Sequence, residues 1–208
     1  MQARRAGFLA ARGSLIANVD ADTILPEGWL GRAAALFSRD RRLVAVSGPY
    51  VYYDVPWHTR ALVRVFYYSA FVTYGLSRYV LRVGSMIQGG NFVVRRDALE
   101  RIGGFSDAFS FYGEDTDLAC RLSAVGGVKF TARLRAYSSG RRLLKEGVIK
   151  VFFDYSVNFF WTTFFHKPYT QSWADHRPRP RTPPVAGDPR PTFAVEDGRP
   201  DQESSRPA

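Results

Sequence analysis

Two short stretches gather carboxylates at spacings that chemistry can use. In "LIANVDADTILPEGWL", from Leu15 to Leu30, an apolar run ends in Asp20 and Asp22, one residue apart, just ahead of a turn. Alternation along "SLIANV" predicts a short strand, on which residues i and i+2 share a face. The two carboxylates would then leave the strand end side by side, and at that separation they repel unless water, a cation or a basic side chain lies between them. In "GEDTDL", Glu114, Asp115 and Asp117 crowd the start of an apolar helical pattern. Residues 1–173 hold thirteen acids, and the segments "DAD" and "GEDTD" hold five of them, in a chain of net charge +10. Solubility does not require that clustering, so it reads as two halves of one site for a cation and a polyanion.

The elements that must position these groups alternate in type. A helix is predicted from Ala3 to Ala11, then the strand from Ser14. "EGWLGRAAALF" reads as a helix with acids at its start and apolar positions at Trp29, Leu30, Ala33, Leu36 and Phe37. "RLVAVSGPYVYY" is β-rich and ends at Asp54-Val55-Pro56, and an aromatic helix follows from Trp57 to Leu81. "MIQGGNFVVRR" has a Gly-Gly break before a short strand, and "DALERIGGF" is a helix with a glycine stop. A helix from Glu114 to Val125 leads through Gly-Gly into a strand, and a last helix runs from Arg142 to Phe165. Strands alternating with helices imply an α/β domain with a mostly parallel sheet and flanking helices. No internal repeat is present.

Length and composition suit one domain with its own core, at 208 residues and 46% hydrophobic, with aromatics high at 15%. The single cysteine, Cys120, excludes an intramolecular disulfide and a cysteine-rich zinc site. The start shows basic residues but too short an apolar run for a secretory signal. From Ala174 to Ala208 six arginines balance six acids, and eight of the twelve prolines lie there with one aromatic. Such a tail is expected to be disordered. The expected organisation is thus a catalytic part over 1–146, an aromatic amphipathic helix over 147–173 and a tail over 174–208.

"ARGSLIANVDADTILPEGWL", "QGGNFVVRRDALERIGGF" and "FYGEDTDLACRLSAVGGVKF", in that order, resemble the family 2 glycosyltransferases of the GT-A (Rossmann-like) fold. The resemblance implies an inverting transfer of a sugar from a nucleotide-diphospho-sugar to an acceptor hydroxyl, on a glycan, a lipid-linked molecule or another acceptor. It implies a divalent cation, Mn2+ or Mg2+, since a departing diphosphate needs counter-charge from a hard cation with carboxylate ligands. By the match, Asp22 is the direct metal ligand, with Asp20 on the ribose or on the metal through water. Asp115 becomes the base that takes the acceptor proton; at a helix N-terminus the dipole would keep it ionised and only modestly basic. Glu114 and Asp117 would cap the helix or orient the acceptor, with Asp117 as the second choice for the base.

Gly89 and Gly90 allow a tight turn or close approach to a ligand, and in the family this segment, with Asn91, borders donor and acceptor; an ordinary bulge before a strand would look the same. Arg141 and Arg142 in "YSSGRR" have the guanidinium forks to close over a pyrophosphate, or they cap the next helix. The family's usual first strand and nucleotide-gripping turn are not in the sequence. The expectation is therefore an N-terminally truncated fold with an open sheet edge.

Two rivals stand beside this reading. A sugar-phosphate nucleotidyltransferase would want a glycine-rich N-terminal loop and a lysine for triphosphate, and neither is present. A non-catalytic membrane-surface domain is the other, because the aromatic helices suggest an anionic membrane surface. In Val148 to Phe165 the polar residues Lys150, Asp154, Asn158 and Thr162 recur every four positions among phenylalanine, tryptophan, tyrosine and valine. The helix is marginal for a span and holds an acid, so an interfacial seat or packing on the domain fits better. Trp57 to Leu81 mixes aromatics with Arg60, Arg64 and Arg78, and Arg82 follows directly, which suits anionic lipid at the cytoplasmic face. Nucleic acid is not expected, as no binding module is recognisable.

Overall fold

The computed structural model describes residues 2–75, 86–106 and 113–165. In chain order the elements are α1 (Gln2–Ala10), β1 (Leu15–Val19), α2 (Trp29–Arg39), β2 (Leu43–Ser47), β3 (Tyr50–Tyr52) and α3 (Trp57–Gly75). After these come β4 (Asn91–Arg95), α4 (Arg96–Arg101), α5 (Glu114–Val125), β5 (Gly127–Phe130), a 3-10 turn (Ala132–Leu134), β6 (Ala136–Ser138), α6 (Arg141–Glu146) and α7 (Val148–Phe165).

A sheet of order β1-β4-β2-β5 forms the middle layer. β1, β2 and β5 point the same way, as an α/β alternation demands. β4 lies reversed between β1 and β2, so its two ladders are antiparallel and only β2·β5 is parallel. Three of the four strands run in one direction, as expected from sequence; the reversal of β4, which makes the sheet mixed, is set by distant pairing partners that local composition does not encode.

Alternation along the strands sends side chains to two cores. Phe92 and Val94 of β4 meet Leu99 of α4 and Leu118 and Leu122 of α5 on one face. Val93 meets Trp29, Ala33 and Phe37 of α2 on the other. In β2 the alternation slips at a bulge, where Val44 and Ala45 both join the first core while Leu43 and Val46 join the second. The helices thus cover both faces of the sheet.

Gly48-Pro49 breaks the β-rich run after β2, and β3 leaves to form a separate two-stranded parallel sheet with β6. Neither this division nor β6 itself shows in the sequence pattern. The helix expected from Glu27 starts instead at Trp29 after Gly28, which has φ +69°, and carries no acid in its first turn. Leu30 faces solvent while Trp29, Ala33, Leu36 and Phe37 are buried. The helix expected from Arg142 is two helices, broken at Gly147 with φ +87°. For α3 the expected stretch beyond Gly75 falls on 76–85, and the expected tail on 174–208; both lie outside the described residues.

Among the described residues, no helix is long and apolar enough to cross a membrane. α7 nevertheless has an unusual polarity. Its polar stripe starts at the exposed Lys150 and turns inward along the later half, where Asn158 and Thr162 are buried beside Thr163, while Ile149, Phe153, Phe160, Trp161 and Phe165 are exposed. Phe152 stacks on Phe66 of α3 at 3.9 Å between ring centroids, tying the two aromatic helices together.

Candidate active site

The strand β1 delivers Asp20, but the chain turns immediately, and Asp22 lies in that turn rather than on the strand face. The Thr23 N–H donates to the Asp20 carbonyl at 3.0 Å, and Ile24 exchanges two backbone hydrogen bonds with Tyr137 of β6, at 2.8 and 2.9 Å. The small sheet therefore holds the turn that presents Asp22. A basic side chain serves each carboxylate. Asp20 pairs with Arg4 at 3.8 Å and Asp22 with Arg141 at 3.3 Å.

Asp115 sits in the first turn of α5 and accepts the Gly89 N–H at 2.9 Å. Gly89 and Gly90 do not need a positive φ; they need the absence of a side chain. A Cβ on Gly89 would lie 2.8 Å from the Asp115 carboxylate, and one on Gly90 would collide with the Asp20 carboxylate and the Tyr50 hydroxyl. The Asn18 amide donates to the Gly89 carbonyl at 2.6 Å and the Asp20 N–H to the Gly90 carbonyl at 3.2 Å. The Gly-Gly turn is thus the floor on which Asp20 and Asp115 face each other.

Burial raises Asp115 above the ordinary carboxylate value, while Arg4 and the Gly89 N–H pull it down and Asp20 pushes it up. The direction is opposite to the pull of the helix dipole, because loss of solvent outweighs the favourable contacts. Asp20 is raised as well, by burial first, with Arg4 opposing and Asp22 adding.

Two residues of this cluster were missed in the sequence. Arg4 of α1 forms ion pairs with both Glu114 and Asp20, so it stitches the two acidic motifs together. A signal for it exists, since Phe8 one turn later packs against the core and i, i+4 residues share a helix face. Tyr50 donates its hydroxyl to Asp20 at 3.4 Å, and burial raises its own pKa; its place depends on β3 leaving the main sheet, which nothing local announces.

Three expected site residues lie elsewhere. Asn91 is fully buried and donates to the carbonyls of Gly48 and Leu134 at 2.9 and 2.8 Å, so its side chain holds the β2–β3 corner instead of bordering a ligand. Arg142 faces α7, bonding Glu146 at 2.7 Å and Tyr155 at 3.2 Å; of the two arginines only Arg141 meets the aspartates. Asp117, the second choice for the base, is buried and bonded to Arg121 at 2.8 Å. Arg121 in turn holds the carbonyls of Ile102 and Gly104. That makes Asp117 a structural group.

The model of glycosyl transferase family group 2 matches residues 15–179. The chain belongs to this family. No curated protein matched the chain. The matched stretch takes in Asp20, Asp22, Asp115 and Arg141 but begins after Arg4. As a family 2 glycosyltransferase the protein is an enzyme that takes a sugar from a nucleotide-sugar donor to an acceptor. Among its described residues no three His, Cys, Asp or Glu side chains gather as a metal cluster. Asp22 lines an open concavity of about 420 Å³ together with Tyr53, Asp54, Ser139 and Arg141, and Asp20 lies just outside that lining. A carboxylate at such an edge is a hard oxygen donor of the kind a divalent cation takes.

Proposed function

We propose that this glycosyltransferase inverts the anomeric centre in a single displacement, with Asp115 as the base. The observation that supports the reading is the half-buried Asp115 carboxylate set against Gly89, next to the Gly90 that Asp20 overlies, with its proton affinity raised. The acceptor hydroxyl gives its proton to Asp115 as its oxygen attacks the anomeric carbon. The bond from that carbon to the diphosphate oxygen breaks, and the electron pair leaves with the nucleoside diphosphate. Arg141, whose guanidinium is half-exposed and already meets Asp22, turns its fork to the phosphate oxygens. A divalent cation on Asp22, with Asp20 beside it, would supply Lewis-acid neutralisation of that diphosphate.

The test is an assay of transfer and hydrolysis over a panel of nucleotide sugars, with manganese, magnesium or a chelator. Asp115→Asn should lower transfer by about 10²- to 10⁴-fold and leave binding of the nucleoside diphosphate intact. Inverted product configuration by NMR is the second readout. Full activity of Asp115→Asn, or retained configuration, would sink the mechanism.

A second element of the proposal is its place of work, an anionic membrane surface on the cytoplasmic side. It is favoured by the outward apolar stripe of α7 and by Trp57, Val65, Tyr68 and Val72 exposed along α3. A helix that hides its amides and hydroxyls and shows its aromatics to the exterior suits a lipid boundary. Vesicles with and without anionic lipid provide the test; absence of binding to both would remove this element and leave the transferase reading untouched.

A further inference from the structure

One wall of the concavity beside Asp22 takes no direct part in the transfer chemistry. Asp54 lies on it, just beyond β3, in the loop leading to α3. One carboxylate oxygen accepts the Ser139 hydroxyl at 2.5 Å, and the other accepts the Gly140 N–H at 2.6 Å. Ser139 Oγ also lies 3.3 Å from the Arg141 N–H and accepts from it, and Arg141 then reaches Asp22. A continuous relay therefore runs from Asp54 through one turn of backbone to the arginine at the acidic site. The packing is equally close, since a Cβ on Gly140 would collide with Val55, the residue next to Asp54. Although burial works the other way, the Ser139 and Gly140 bonds keep Asp54 below the ordinary carboxylate range.

We propose that Asp54 is a positioning residue for glycosyl transfer, clasping the Ser139-Gly140 turn so that Arg141 is held at the diphosphate position beside Asp22. The inference rests on the reading that Arg141 grips the donor's diphosphate. An exposed carboxylate that spends both oxygens on one neighbouring turn fixes direction more than it adds stability, because exposed polar contacts contribute little to folding. Held in this way, the guanidinium gives up less freedom when it meets phosphate.

The test is a double-mutant cycle on the full chain, with Asp54→Ala, Arg141→Ala and the pair, and Asp54→Asn as the milder variant. The probe is inorganic pyrophosphate with manganese, measured by calorimetry, beside KM and kcat for the donor. Asp54→Ala should weaken pyrophosphate and raise donor KM by about 10-fold, the scale of a single charge-assisted hydrogen bond, with a smaller change in kcat. The same substitution should do nothing further once Arg141 is gone. Trypsin should cut after Arg141 faster in Asp54→Ala than in the unaltered chain.

Equal losses from Asp54→Ala with or without Arg141 would mean general structural damage and overturn the proposal. A loss from Arg141→Ala but none from Asp54→Ala or Asp54→Asn would overturn it too, leaving the diphosphate reading in place. No effect of Arg141→Ala on pyrophosphate would defeat that reading first, and the proposal with it.

Discussion

Burial raises the proton affinity of Asp115 while Arg4 and the Gly89 N–H hold it back, and the balance has consequences in opposite senses for activity and stability. A base must be ionised, so the acid limb of kcat/KM should lie above the ordinary carboxylate value of 3.8. Folding suffers as that charge forms, because the folded chain binds the proton more tightly than the unfolded one and stability falls as pH rises through the raised pKa. Asp115→Asn should therefore unfold at higher denaturant than the native chain at neutral pH. The advantage should vanish below the ordinary carboxylate range, which urea titrations at several pH values will show. Gly90→Ala meets a harder obstacle, since its Cβ runs into Asp20 and Tyr50; a loss of about 1–3 kcal/mol in stability is expected from overpacking, with transfer activity falling alongside. The aspartates and the glycine pair could be picked out from residue type and spacing. The reason for the glycines could not, because close approach of a carboxylate from another part of the chain leaves no local mark.

Helix α1 carries Arg4, and it is fastened by Arg96, which follows β4 directly. The Arg96 guanidinium bonds the carbonyls of Ala11 and Gly13, where α1 ends, and lies 5.6 Å from the Phe8 ring centroid. A cation at a helix C-terminus satisfies carbonyls that the helix leaves open. Arg96→Ala should cost about 1–3 kcal/mol by leaving those acceptors unpaired, and hydrogen exchange should quicken in α1 ahead of the rest. At this scale the helix over Glu114–Val125 was legible to the residue, since acids, apolar spacing and a closing glycine all agree there. α6 and α7 were not separable, as Gly147 reads like any glycine inside a strongly apolar pattern. The inward turn of α7's polar stripe was hidden as well: periodicity finds a stripe but does not say which side the protein lies on.

The whole molecule is strongly basic, with net charge +10, and its two aromatic helices meet through Phe66 and Phe152. Binding to anionic vesicles should weaken with salt and with Phe153→Glu, while the same substitution, at an exposed position, should alter stability by less than about 0.5 kcal/mol. Persistence of vesicle binding in Phe153→Glu would count against α7 as the contact. The alternation of strands and helices made the layered α/β architecture readable from sequence, whereas the reversal of β4 depended on pairing with β1 across a long stretch of chain. That same long reach sets a timetable. The Gly89–Asp115 contact joins residues 26 apart, Asn18 and Gly89 lie 71 apart, and Asp22 and Arg141 lie 119 apart. Loop closure grows costlier with length, and chains dominated by distant contacts fold slowly. A refolding chain should accordingly bring Asp115 to the glycine turn early and close the Asp22–Arg141 pair last. On the ribosome β1 emerges long before β4 exists to pair with it, so the strand that leads into Asp20 waits for that partner, a species for chaperones to shield.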